Sequence, residues 1–141
     1  MIGIDRVVIP IDDTEASKIA TEQAAYFAKL LKVELSIISV NEARQYMISK
    51  LLESKIKQEK LQLLDEIKKI AEKKGINVTT RLILGSPADE IINYTNEKDL
   101  IVMPSHENKG YKKFFLGNVS EEVLERAPCN VMIIRPKKEK K

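Results

Sequence analysis

Five short apolar runs punctuate the chain: Arg6–Ile11, Val33–Val40, Val78–Leu84, Asp99–Met103 and Val131–Ile134. Continuous runs of this length suit strands covered on both faces. Between them the apolar spacing changes to a helical period. In Thr14–Leu31 the residues Ile19, Ala20, Ala24, Phe27, Ala28 and Leu31 fall on one stripe. In Arg44–Lys74 the stripe is Ile48, Leu52, Ile56, Leu63, Ile67 and Ile70. The segment from Pro10 to Gly75 has no internal Gly or Pro, and the part from Arg44 to Lys55 reads as a separate helix or a mobile segment. Ser86-Pro87-Ala88-Asp89 combines a cap, a first-turn proline and an early acid, which predicts a third helix. Asn118-Val119-Ser120-Glu121 predicts a fourth, carrying Val123, Leu124 and Ala127 and stopped by Pro128. Strands alternating with helices imply a doubly wound α/β domain, a parallel sheet with helices on both faces joined by right-handed crossovers.

Composition narrows the class without altering that pattern. The chain has 141 residues, 43% hydrophobic and 32% charged, with 5 Gly and 5 Pro, which excludes collagen-like and disordered sequences. It reads as one domain over 1–135 with a Lys-rich tail at 136–141. A single Cys and a single His exclude an internal disulfide and Cys- or His-rich metal sites. The formal charge of +3 equals that of the tail, which holds four lysines and one glutamate, so the body is neutral. A basic field for nucleic acid is therefore not expected, and the tail reads as a solvated end. With no signal-peptide pattern and no run of membrane-spanning length, the expected location is the cytoplasm.

In open α/β sheets, ligands sit beyond the carboxyl ends of the strands where strand order reverses. Asp12 and Asp13 follow the first strand, Asn41 and Glu42 the second, and Pro104, Ser105 and His106 the fourth. Four blocks then carry a resemblance: VVIPIDDTEAS at Val7–Ser17, GSPADEI at Gly85–Ile91, DLIVMPSH at Asp99–His106 and FLGNVSEEVLERAPCNVMIIR at Phe115–Arg135. Over nearly its whole length the sequence resembles the universal stress protein family. The resemblance implies a five-stranded parallel sheet in the order 3-2-1-4-5, of the adenine nucleotide alpha hydrolase-like type. It also implies a stress-related regulatory or protective role by binding rather than catalysis, usually as a dimer.

For this chain the resemblance makes ATP or another adenine nucleotide, with Mg²⁺, the candidate cofactor; members that bind ATP carry G-x2-G-x9-G-[S/T] after the fourth strand. Here those positions hold Pro104, Glu107, Gly117 and Asn118. Proline has no N–H to offer a phosphate, and glutamate brings a like charge. The helix start Gly117-Asn118-Val119-Ser120 retains its N–H groups, and Asn118 is expected to cap in place of Ser. Lys109, Lys112 and Lys113 in the loop between are further sources of charge. By the same resemblance Pro10, Asp12, Val40 and Met103 match positions lining the adenine and ribose pocket. The reading is a degenerate nucleotide site, with an ATP-binding, slowly hydrolysing member as the alternative and a pure protein-interaction module as the third.

Other signals have plainer accounts. Asp12-Asp13 also marks Mg²⁺-binding receiver domains, but the third strand ends Ile83-Leu84-Gly85-Ser86 without the acid a receiver needs. Asp13 then acts as favourable charge at a helix start. Ser105 and His106 are adjacent without a G-x-S-x-G elbow, so no hydrolase is read from them. Cys129 is expected to be a buried, inert thiol. Tyr46 and Met47 read as helix packing, or as a lid. The last strand, Val131, Met132, Ile133 and Ile134, is apolar throughout and by the family order lies at an edge. Pairing with a second copy would cover it, giving a homodimer.

Overall fold

The computed structural model describes residues 3–12, 14–42, 50–107, 114–115 and 117–135, with the backbone alone at 106, 107, 114 and 115. Asp13, Tyr46, Met47, Lys109, Lys112, Lys113 and the lysine tail lie outside the described residues.

Five strands form one parallel sheet: β1 (Arg6–Pro10), β2 (Glu34–Asn41), β3 (Val78–Leu84), β4 (Asp99–Pro104) and, last in the chain, β7 (Asn130–Ile134). Their order is β3-β2-β1-β4-β7, which counted within the sheet is the expected 3-2-1-4-5. Two short strands, β5 (His106–Glu107) and β6 (Phe114–Phe115), pair antiparallel in a separate ladder that no apolar periodicity announced.

Alternation along each strand divides the core in two. Val7, Ile9, Leu35, Ile37, Leu100 and Val102 face α1 (Glu15–Leu31) and α2 (Lys50–Glu72). Val8, Ile38, Ile101 and Met103 face α3 (Pro87–Tyr94) and α4 (Asn118–Arg126). Ser17, Ala20, Thr21, Ala24, Ala25 and Ala28 form the buried stripe of α1, all small, so the helix lies close on the sheet. Leu31, expected on that stripe, is 42% exposed. In α2 the buried residues are Leu64, Ile67 and Ala71, while Leu52 and Ile70 of the expected stripe are largely exposed. The inward face keeps Ile67 of the expected stripe, with Ile56 and Leu63 partly buried, and adds Leu64 and Ala71 in place of Leu52 and Ile70. The turn after β3 needs Gly85: its φ is +149°, and an added Cβ would lie 2.6 Å from Glu90 Cγ.

β7 is an edge strand, and Val131, Met132, Ile133 and Ile134 are half-buried, two against each core face.

Candidate functional site

The first and fourth strands of the sequence lie side by side, and the chain leaves them in opposite directions across the sheet. That is the switch point, and a cavity of about 310 Å³ opens beyond it. This sits at the small end of the range of about 300–1,000 Å³ usual for small-ligand sites. Pro10 and Asp12 enter it from the end of β1, Val40 from β2 and Met103 from β4. Gly117, Asn118, Val119 and Ser120 enter it from the start of α4. The structure thus brings all eight sequence-selected residues to one cavity.

Their individual settings differ from expectation at two points. Gly117, not Asn118, is the residue before the helix, with φ −68° and ψ 167°. Asn118 is the first helical residue, and no side chain caps the start. The first intrahelical bond is Glu121 N–H to the Gly117 carbonyl, at 3.0 Å. The N–H groups of Asn118, Val119 and Ser120 therefore have no carbonyl within the helix and point toward the cavity end.

Asp12 is the second point. Its Oδ1 accepts from Thr14 N–H at 3.0 Å, from Ser17 Oγ at 2.9 Å and from the Thr14 hydroxyl. Asp12 N–H donates to Ser17 Oγ at 2.9 Å, and Ser17 N–H to Thr14 Oγ1 at 3.2 Å. One carboxylate oxygen thus organises the start of α1, with Thr14 as its cap. Asp12 is oriented by these bonds within the chain.

Pro104 is buried at the end of β4, and the next donor along is already used. Ser105 N–H gives a 2.9 Å bond to the Ile134 carbonyl, and its hydroxyl reaches the same oxygen at 3.2 Å. Ser105 is tied to β7. Beyond it the β5–β6 ladder occupies the chain positions of a phosphate loop, His106 opposite Phe115 and Glu107 opposite Phe114. Cys129 is half-buried. Burial pushes its thiol above the ordinary value and the Asp99 charge adds to this, against hydrogen bonds to the Ile101 backbone and Thr95. Among the described residues no group of three His, Cys, Asp or Glu could hold a metal.

Sequence reasoning missed Lys60, which also lines the cavity. The signal was present: Ile56 and Leu63 stand four before and three after it, so Lys60 shares their inward face. Pro87 and Ile91 of α3 complete the wall, and neither carried a chemical cue.

The family model of the universal stress protein family matches residues 3–135. The chain belongs to the universal stress protein family. A universal stress protein of Methanocaldococcus jannaschii is 32% identical over 143 residues, covering 95% of this chain and 84% of that one. The family member YxiE of Bacillus subtilis is also 32% identical, covering 93% of this chain and 99% of its own. Among solved structures, a universal stress protein in complex with cAMP superposes with TM-score 0.69 at 21% identity, covering 92% of this chain and 96% of that chain. One from Archaeoglobus fulgidus in complex with dAMP gives TM-score 0.65 at 18% identity, covering 94% and 98%. At such identities the structures of other members establish the shared fold. No helix among the described residues is long and apolar enough to cross a membrane.

Proposed function

We propose that this universal stress protein acts by binding an adenine mononucleotide in the switch-point cavity, as a stress-response regulatory or protective protein without a hydrolytic step. The observation that carries the reading is the convergence of apolar wall and helix start in one cavity. Pro10, Val40 and Met103 offer apolar surface to a flat base. The uncapped start of α4 offers backbone N–H groups to a phosphate. The family members solved with cAMP and dAMP support a single-phosphate ligand for this fold. Longer phosphate chains and their Mg²⁺ are disfavoured, because Pro104 has no N–H and Ser105 has already spent its own. Productive ATP binding with Mg²⁺ is the alternative. The second part of the proposal is a homodimer formed by β7, through Val131, Met132, Ile133 and Ile134. These residues are only half-buried by the monomer, and the strand has an unpaired edge.

Thermal unfolding tests the ligand. AMP at a hundredfold excess over its Kd adds about 2.7 kcal/mol to stability. That raises Tm by roughly 5–10 °C for a chain of this size. Mass spectrometry of the small molecules released from gently purified protein identifies what it carries. A larger shift with ATP and Mg²⁺ than with AMP would establish the alternative. No shift with adenosine, AMP or ATP would leave a protein-interaction module. Sedimentation at micromolar concentration reads the dimer, and a monomer there rules it out.

A further inference from the structure

The long crossover helix places a cation where none was expected. At 1.5 Å per residue α2 is about 34 Å long, against roughly 23 Å for β3 beneath it. Its N-terminal turns therefore overhang the carboxyl edge of the sheet, and most of their residues are exposed. Burial begins at Ile56 and Lys60 and continues through Leu63, Leu64, Ile67, Lys68 and Ala71. Lys60 is the one charged residue of that inward set at the level of the strand ends. It lines the 310 Å³ cavity and also a second space of about 540 Å³ between β2 and α2, which shares Asp12 with the first.

Among the described residues lining the first cavity, Lys60 is the only cation. It is half-buried, yet no salt bridge or hydrogen bond holds it among those residues. A lysine whose stem is partly buried in a cavity wall can place its ammonium on an anion that enters the cavity. On a purely structural helix face, this position would favour an apolar residue like its neighbours Ile56 and Leu63.

Resting on the reading of the cavity as a mononucleotide site, we propose that Lys60 is the residue that recognises the ligand's phosphate. It approaches from the α1–α2 side of the sheet, while the start of α4 approaches from the other. One phosphate at the cavity end then meets an ammonium on one side and backbone N–H groups on the other. The cation adds a charged partner to a site where Pro104, at the first glycine position of the phosphate motif, has no N–H to donate. Lysine acts here as a compact point charge on a flexible stem, so it selects for charge rather than for a planar bidentate geometry.

Calorimetric titration of adenosine and AMP into wild type, Lys60→Gln and Lys60→Arg tests this. Lys60→Gln is expected to weaken AMP by about ten- to a hundredfold while leaving adenosine unchanged. Lys60→Arg keeps the charge and is expected to retain most of the AMP affinity. Raising the salt concentration should narrow the preference for AMP over adenosine in wild type and not in Lys60→Gln. Unchanged AMP affinity in Lys60→Gln would overturn the assignment. Equal losses for adenosine and AMP would also overturn it, by showing that Lys60 only packs the wall. If wild type binds neither compound, the mononucleotide reading itself falls. AMP binding that survives the substitution removes Lys60 alone.

Discussion

Asp99→Ala is expected to lower the unfolding free energy by about 3–5 kcal/mol, the cost of removing one partner from a buried ion pair. Arg6 and Asp99 are register partners at the amino ends of β1 and β4. The guanidinium meets the carboxylate through two bonds, Nε to Oδ1 at 2.9 Å and NH2 to Oδ2 at 2.7 Å. The side chains are 19% and 2% exposed. The same carboxylate accepts Asn96 N–H at 2.9 Å, and the guanidinium lies 4.5 Å from the centre of the Tyr94 ring. Tyr94 in turn shares a 2.7 Å bond with Ser36 Oγ, so β1, β2, β4 and α3 are joined in one polar layer. The bond to Asp99 is the main cause of the upward shift of the Arg6 pKa, ahead of the opposing desolvation. Alanine would leave that charge half-buried without its counterion. Urea unfolding with an unchanged m-value checks the size of the loss. Arg6→Met with Asp99→Leu should recover much of it, since the desolvation goes with the charges. A loss below about 1 kcal/mol would place the pair with surface bridges.

Gly117→Asp is expected to act with opposite signs on folding and on binding. The backbone at Gly117 has φ −68° and ψ 167°, which any residue adopts. Aspartate there can cap the open start of α4 and face its positive end. The ligand-free protein should melt about 1–3 °C higher. The same carboxylate would stand beside the phosphate. Two like charges about 4 Å apart in an effective dielectric near 20 repel by about 4 kcal/mol. AMP affinity should therefore fall at least about a hundredfold, with adenosine little changed. Calorimetry and melting curves on the same preparation read both effects. A variant that melts higher and still binds AMP like wild type would remove the start of α4 from the phosphate site.

Most of the strand core was legible because a parallel strand covered on both faces reads as an unbroken apolar run. Val7–Ile9, Leu35–Ile38 and Leu100–Met103 are nearly all buried, as such runs require. The helices were legible in extent but less so in facing. Leu31 and Ile70 fit a helical stripe by period and are exposed, because neighbouring positions compete and only contact with the sheet chooses between them. The β5–β6 ladder left no mark, since two-residue strands show no period.

The sequence by itself determined the alternation of strands and helices and, through the family motifs, eight residues that converge on one cavity. It also determined that Pro104 cannot donate to a phosphate, because that is a property of the residue type. Tertiary structure decided what those residues are already doing. Asp12 spends one oxygen on the start of α1, and Ser105 is bound to β7. It also decided that Lys60, 43 positions before Met103 in the chain, lines the same cavity. A helix period can say that Lys60 shares a face with Ile56 and Leu63. Only the packing of α2 past the edge of the sheet says that this face meets the switch-point cavity at that height.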